Sequence, residues 1–174
     1  LAVAITLLVT VTDGPIRVYA LGGWAPPFGI VLVVDRLAAA LLVLTAIVAC
    51  ASLLYAVARD TETAAPRFHA LFQFQLLGIQ GAFLTGDLFN LFVFFEVLLI
   101  ASYALLLHGL AADRVRAALH VVVLNLIGSA LFLLGVALIY GVTGSLNFAD
   151  LARVIPALTS ADAPLARTGA LLLL

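Results

Sequence analysis

Gly86-Asp87-Leu88-Phe89-Asn90-Leu91-Phe92-Val93-Phe94-Phe95-Glu96-Val97-Leu98-Leu99-Ile100-Ala101-Ser102-Tyr103 is the stretch whose reading decides the fold. Between Leu88 and Leu107 its one side chain that ionises at neutral pH is Glu96. Twenty apolar-dominated residues rising 1.5 Å each match a hydrocarbon core of ~30 Å, so the segment is predicted to be a membrane-spanning helix. An ionisable group near the centre of such a helix costs roughly 2.5–3.5 kcal/mol on insertion scales. Carboxyls at that depth are rare, and they mark ion or proton paths by default. The blander alternative is a protonated carboxyl that only ties helices together.

Composition agrees with a lipid solvent. The chain is 66% hydrophobic and 10% charged, with a mean hydropathy of +1.29. A soluble domain has no use for so much apolar surface. The expected class is an all-α, polytopic integral membrane protein, a transmembrane helix bundle with one short surface β-hairpin. The net charge of −1 offers no basic patch for nucleic acid. All eight basic residues are Arg. The lone Cys50 lies in an apolar run and reads as a small packing residue. Neither flavin, iron–sulfur nor nucleotide signatures occur, so no cofactor and no enzyme is expected. The first residues, Leu1–Val11, lack the basic front and small-residue cleavage site of a signal peptide. Both termini lie in apolar runs, which reads as a piece of a longer protein.

Working outward, residues 1–174 are expected to form one transmembrane unit. Its spans are predicted at 1–11 (partial), 37–58, 68–85, 88–107, 120–141 and 165–174 (partial). Residues 16–35, with β-prone Val18-Tyr19-Ala20-Leu21 and Ile30–Val34 around Gly22-Gly23 and Pro26-Pro27, are predicted to be a surface hairpin. Trp24 suits the interface. Residues 59–67 and 108–119 are read as polar connectors on one side, and their four Arg place that side in the cytoplasm. Residues 147–158 repeat apolar positions at helical spacing, as an interfacial helix does, with Ser145 or Asn147 as its cap. Asp162 and Pro164 signal the start of the last helix.

The polar residues inside the spans are the remaining candidates. Gln73, Gln75 and Gln80 are expected to hydrogen-bond between helices, with a wet lining as the alternative, and Gly78 and Gly81 to admit a close neighbour. Asp87 is expected to cap the central helix, with ion access as the alternative. Nine residues separate it from Glu96, ~13 Å along the axis and on the opposite face. Tyr103 lies seven residues beyond Glu96 on the same face and either offers a hydroxyl or a water site there or serves by ring packing alone. Asn125 and Ser129, four apart, either face Glu96 or pack against another helix, and packing is the commoner use. His69, His108 and His120 fall near span ends at spacings that are not those of a metal site. A proton-handling role for His120 competes with a surface one.

The run Thr85–Tyr103 closely resembles the D subunit of Mrp-type multisubunit cation/proton antiporters. Supporting matches are Leu21-Gly22-Gly23-Trp24, Val34-Asp35-Arg36-Leu37, Leu124–Ser129 and Tyr140–Asn147. The wider superfamily includes the antiporter-like proton-pumping subunits of respiratory complex I. The resemblance implies the N-terminal part of an inverted-repeat fold with broken helices, in a bacterial cell membrane, partnered by other subunits and lipid. It implies proton translocation coupled to sodium, with Glu96 as the essential membrane carboxylate. In the family that carboxylate pairs with a Lys on the following broken helix. No Lys occurs in this chain, and the partner is expected beyond Leu174. A proton-pumping subunit of an NADH-quinone oxidoreductase type complex, or a structural scaffold subunit, are the alternatives.

Overall fold

The computed structural model describes residues 1–24, 29–59, 67–107 and 112–174, with the backbone alone over 112–117. Seven helices occur among these residues: α1 (Ala2–Thr12), α2 (Arg36–Ala58), α3 (Phe68–Leu84), α4 (Leu88–Leu106), α5 (Ala112–Thr143), α6 (Phe148–Val154) and α7 (Ala163–Leu172). Two strands, β1 (Arg17–Ala20) and β2 (Val31–Val34), pair antiparallel with Arg17 opposite Val34. The helical class and the hairpin are as the sequence led one to expect. Pro26-Pro27, the connector at 60–66 and His108 lie outside the described residues. Among those described, α2, α4 and Ala118–Thr143 of α5 are long and apolar enough to cross a membrane.

Local chemistry fixes the element ends. Asp35 caps α2 by accepting from the Ala38 N–H at 2.7 Å. The guanidinium of Arg36 donates to the carbonyls of Thr12 (3.1 Å) and Val11 (3.4 Å), satisfying oxygens that the end of α1 leaves free. Asn147 caps α6 through the Ala149 and Asp150 N–H groups. Asp162 precedes α7 but gives no such cap; its carboxylate instead accepts from the Thr159 hydroxyl at 2.7 Å. One expectation fails. Residues 112–119, read as connector, are helical and continuous with α5. The charges of Asp113, Arg114 and Arg116 suggested a loop, but the segment has neither Gly nor Pro and its Ala, Arg and Leu residues favour helix.

The bundle is built from close helix pairs. α3 and α4 meet through glycine: a Cβ on Gly78 would stand 2.7 Å from the Leu98 backbone nitrogen, and one on Gly81 2.2 Å from the Phe94 ring. Small residues let membrane helices approach until dispersion contacts become dense. α5 and α7 meet in the same way, Gly135 against the Gly169 carbonyl and the reverse. The ten residues of α7 reach ~15 Å, half a bilayer core. By contrast, Gln73, Gln75 and Gln80 make no side-chain hydrogen bond to any described residue, and Gln73 is exposed. The interhelical bonding expected of them is not present.

The surface of the bundle is stitched by backbone. The turn between α3 and α4 adds to the hairpin through a Leu32–Thr85 bridge and a 2.9 Å bond from the Gly86 N–H to the Val31 carbonyl. On its other side Asp87 bridges to Asn147. The Leu88 N–H donates to the Leu146 carbonyl, and the Phe148 N–H to the Gly86 carbonyl, both at 2.9 Å. A side chain on Gly86 would meet Val33 and Val31 at 2.8 and 2.9 Å.

Gly78→Val in the full-length protein is expected to lower the detergent melting temperature sharply, as overpacking costs about 1–3 kcal/mol and the obstruction here is backbone. Gly141→Ala, where an added Cβ meets nothing within 4 Å, is expected to leave it unchanged or raise it slightly. Equal melting of the two variants would contradict the packing described.

Candidate functional site

Glu96 is the ninth residue of the 19-residue α4, hence at mid-depth, and it is half-buried. Its Oε1 accepts a hydrogen bond from the Ser129 hydroxyl of α5. Pairing α4 with α5 therefore brings together two candidate residues 33 positions apart. Asn125, one turn from Ser129, lines the same cavity of about 420 Å³. Phe92, Phe95, Gly128, Phe132, Leu172 at the end of α7, and Leu173 and Leu174 just after it complete most of its wall. The preference for helix packing is thus corrected at Ser129: a hydroxyl on that face finds its acceptor in the carboxyl of α4. A serine hydroxyl can donate to a carboxylate or accept from a carboxylic acid, so this pair stays satisfied in either protonation state.

The other candidates stand apart from Glu96. Asp87 is buried and caps α4, its Oδ1 accepting from the Asn90 N–H at 2.9 Å. The Asn90 amide donates to the Thr85 hydroxyl at 2.9 Å, which closes the turn on itself. Burial raises the Asp87 pKa above the usual aspartate value, and the N–H groups of Asn90 and Phe89 partly offset this. Its geometry is that of a helix cap. Tyr103 is half-buried and His120 exposed, and neither makes a side-chain hydrogen bond to any described residue. His69 meets the Phe68 ring edge-on at 5.6 Å. Among the described residues no cluster of His, Cys, Asp or Glu could hold a metal.

Sequence reasoning missed the aromatic group beside the carboxyl. Phe92 stacks on Phe132 at 5.9 Å, and Phe95 meets the same ring edge-on at 6.1 Å. Its signal was present in the pairing of Phe-rich α4 with a single Phe on α5, three residues beyond Ser129.

A family model described as "NADH:quinone oxidoreductase/Mrp antiporter, TM" matches residues 85–174, a range that holds α4, Glu96 and Ser129. The chain is 56% identical over 156 residues to the D subunit of a probable K(+)/H(+) antiporter from Rhizobium meliloti, covering 90% of this chain and 29% of the relative. It is 49% identical over 153 residues to the D subunit of an Na(+)/H(+) antiporter from Alkalihalophilus pseudofirmus, covering 87% and 31%. Its backbone also matches a chain of the membrane-bound sulfane sulfur reductase, an archaeal respiratory membrane complex. That match has a TM-score of 0.82 and 36% identity over 99% of this chain and 35% of the other. The chain therefore spans about a third of the length of these relatives.

Replacing Asp87 by Asn is expected to keep the cap, whereas Asp87→Ala is expected to cost about 1 kcal/mol of unfolding free energy. The sign with pH follows from the raised folded pKa: the native state holds the proton more tightly than the unfolded one. Stability from this group is full below the ordinary aspartate value and falls as pH rises through the raised one. Unfolding followed across that window is expected to show Asp87→Asn gaining on the wild type as pH increases.

Proposed function

Because the chain belongs to the membrane-subunit family of NADH:quinone oxidoreductases and Mrp antiporters, we propose that it forms part of a proton-translocating subunit. The assembly is a multisubunit monovalent cation/proton antiporter in a bacterial cell membrane, and Glu96 is the mid-membrane proton carrier. The observation that carries the reading is one carboxyl at mid-span, half-buried, bonded to Ser129 and facing a cavity with room for water. A carboxyl bonded on one oxygen by a two-way hydroxyl keeps its other oxygen for exchange with water in that cavity. Protonation and release at Glu96 then need no large rearrangement of α4 against α5. Asn125 lines the approach; Tyr103 and His120 lie further toward the same end. Partner subunits carry the remaining steps, and the cation is sodium, the ion in the name of one relative, with potassium named in the other.

The second reading is a proton-moving subunit of a redox-driven complex, favoured by the backbone likeness to the sulfane sulfur reductase chain. Antiport driven by a cation gradient without an electron donor separates the two.

In inverted vesicles carrying the full complex, Glu96→Gln and Glu96→Ala are expected to abolish cation-driven pH change. Unimpaired exchange with Glu96→Ala would overturn the reading, and activity retained by Glu96→Gln alone would favour a scaffold role. Ser129→Ala is expected to slow exchange roughly tenfold, the size of one lost charge-assisted hydrogen bond of about 1.5 kcal/mol. Ser129→Thr, which keeps the hydroxyl, is expected to restore most of it.

A further inference from the structure

Away from Glu96, beside the hairpin, the bundle leaves an open cleft of about 620 Å³. One wall is the side of the hairpin that carries Val18, Val31 and Val33, which the cross-strand register puts on a single face. Another is the first two turns of α2, through Leu37 and Leu41, and a third is the last turn of α3, through Ala82. Leu41 lies six residues past Asp35, so the cleft reaches ~9 Å down the span. Leu44 and Val48 continue the face of Leu37 and Leu41 at helical spacing. Leu37, Leu44 and Val48 are all exposed, so an apolar track runs from the cleft toward the middle of the bilayer.

Two polar side chains in this apolar lining have hydrogen-bonding capacity to spare. Asp35 is half-buried, and it is the charged residue among those described that line the cleft. Its Oδ1 accepts from the Ala38 N–H at 2.7 Å. Its other oxygen has no partner, and it forms no ion pair with any described residue. Arg36 next to it turns its guanidinium to the end of α1 and does not line the cleft. Asn147 is only 6% exposed. Its Oδ1 accepts from the Ala149 and Asp150 N–H groups, but its amide nitrogen donates to nothing among the described residues. A donor buried so far without an acceptor is uncommon in a folded protein.

We propose that the cleft is a binding site for a phospholipid with a primary-ammonium headgroup. One acyl chain lies between the hairpin, α2 and α3 and continues down Leu44 and Val48. The site stands apart from Glu96 and from its role. Depth and apolar lining suit a hydrocarbon chain, and charge selects the headgroup. A primary ammonium offers three N–H donors. One of them meets the free oxygen of Asp35 in a charge-assisted bond, the stronger kind. The Asn147 amide supplies the donor that a phosphate or ester oxygen of the same molecule needs. Sites for anionic lipids gather Lys and Arg; a carboxylate at the cleft has the opposite sign and repels them. A choline headgroup carries methyl groups where the bond to Asp35 requires N–H.

Photolabelling of the full-length protein with its partner subunits, in nanodiscs, tests this. The probe is a phosphatidylethanolamine with a photoactivatable acyl chain. It is expected to label residues 37–48. Unlabelled phosphatidylethanolamine is expected to compete roughly tenfold better than phosphatidylcholine or phosphatidylglycerol, the size of one charge-assisted hydrogen bond. Asp35→Asn keeps the cap, since the two residues cap about equally well, and is expected to erase that preference. Ala82→Phe, which fills the cleft, is expected to abolish the labelling. Equal competition by the three lipids, or a preference that survives Asp35→Asn, overturns the proposal, and neither result depends on the Ala82→Phe protein folding.

A second measurement asks what occupies the cleft. A benzophenone attached to Ala82→Cys in a Cys50→Ala background is expected to capture phosphatidylethanolamine from a mixed-lipid nanodisc. Capture of another stretch of polypeptide, from this subunit or from a partner, assigns the cleft to protein and overturns the proposal.

Discussion

A carboxyl in hydrocarbon must find a hydrogen-bonding partner, and among the described residues the Ser129 hydroxyl is that partner. That bond is the constraint on which the middle of the structure depends. It sets the rotation of α4 against α5, because both side chains must face the same seam. Once they do, Phe92 and Phe132 face each other one turn away, and Asn125 falls on the open side. The cost of burying either polar group unpaired, a few kcal/mol, exceeds what any single apolar contact in the seam contributes. Polar pairing therefore selects the register, and dispersion between rings and aliphatic side chains fills in around it.

Much of this was legible in the residues, for definable reasons. Hydropathy over twenty residues announces a span because length and lipid thickness must agree. The hairpin was readable from β-branched runs around Gly22-Gly23, and the close pairing of α3 and α4 from Gly78 and Gly81. Glu96 stood out because nothing near it in the chain could make a charge acceptable. What could not be read was the partner. Ser129 was one of two polar positions on α5 whose facing direction periodicity alone leaves open, since a helix has no preferred rotation until it packs. The three glutamines of α3 misled for the same reason: a polar residue in a span states a need, not the identity of what meets it. The helical start of α5 was hidden by charges that look like a loop and are equally good on a helix.

The contacts that hold the surface together were also silent in the sequence. Arg36 reads as a flanking charge, yet its guanidinium closes the end of α1. Gly86 reads as a turn residue, yet its importance lies in the valines it must not touch. Each is a meeting of segments remote along the chain, and local pattern carries no record of such meetings. Phenylalanine is common in spans, and its stacking across α4 and α5 could not be read from either helix alone.

The backbone stitch from Val31 to Gly86 has a consequence for biosynthesis. Fifty-five residues separate the two partners (86 − 31), so at ribosomal rates of about 5–20 residues per second β2 must wait roughly 3–11 s for its second neighbour. During that interval its outer edge offers unpaired N–H and C=O groups at the bilayer surface, the sort of template that recruits a stray strand from another nascent chain. The brevity of β2, four residues in all, limits that hazard while the rest of the polypeptide emerges.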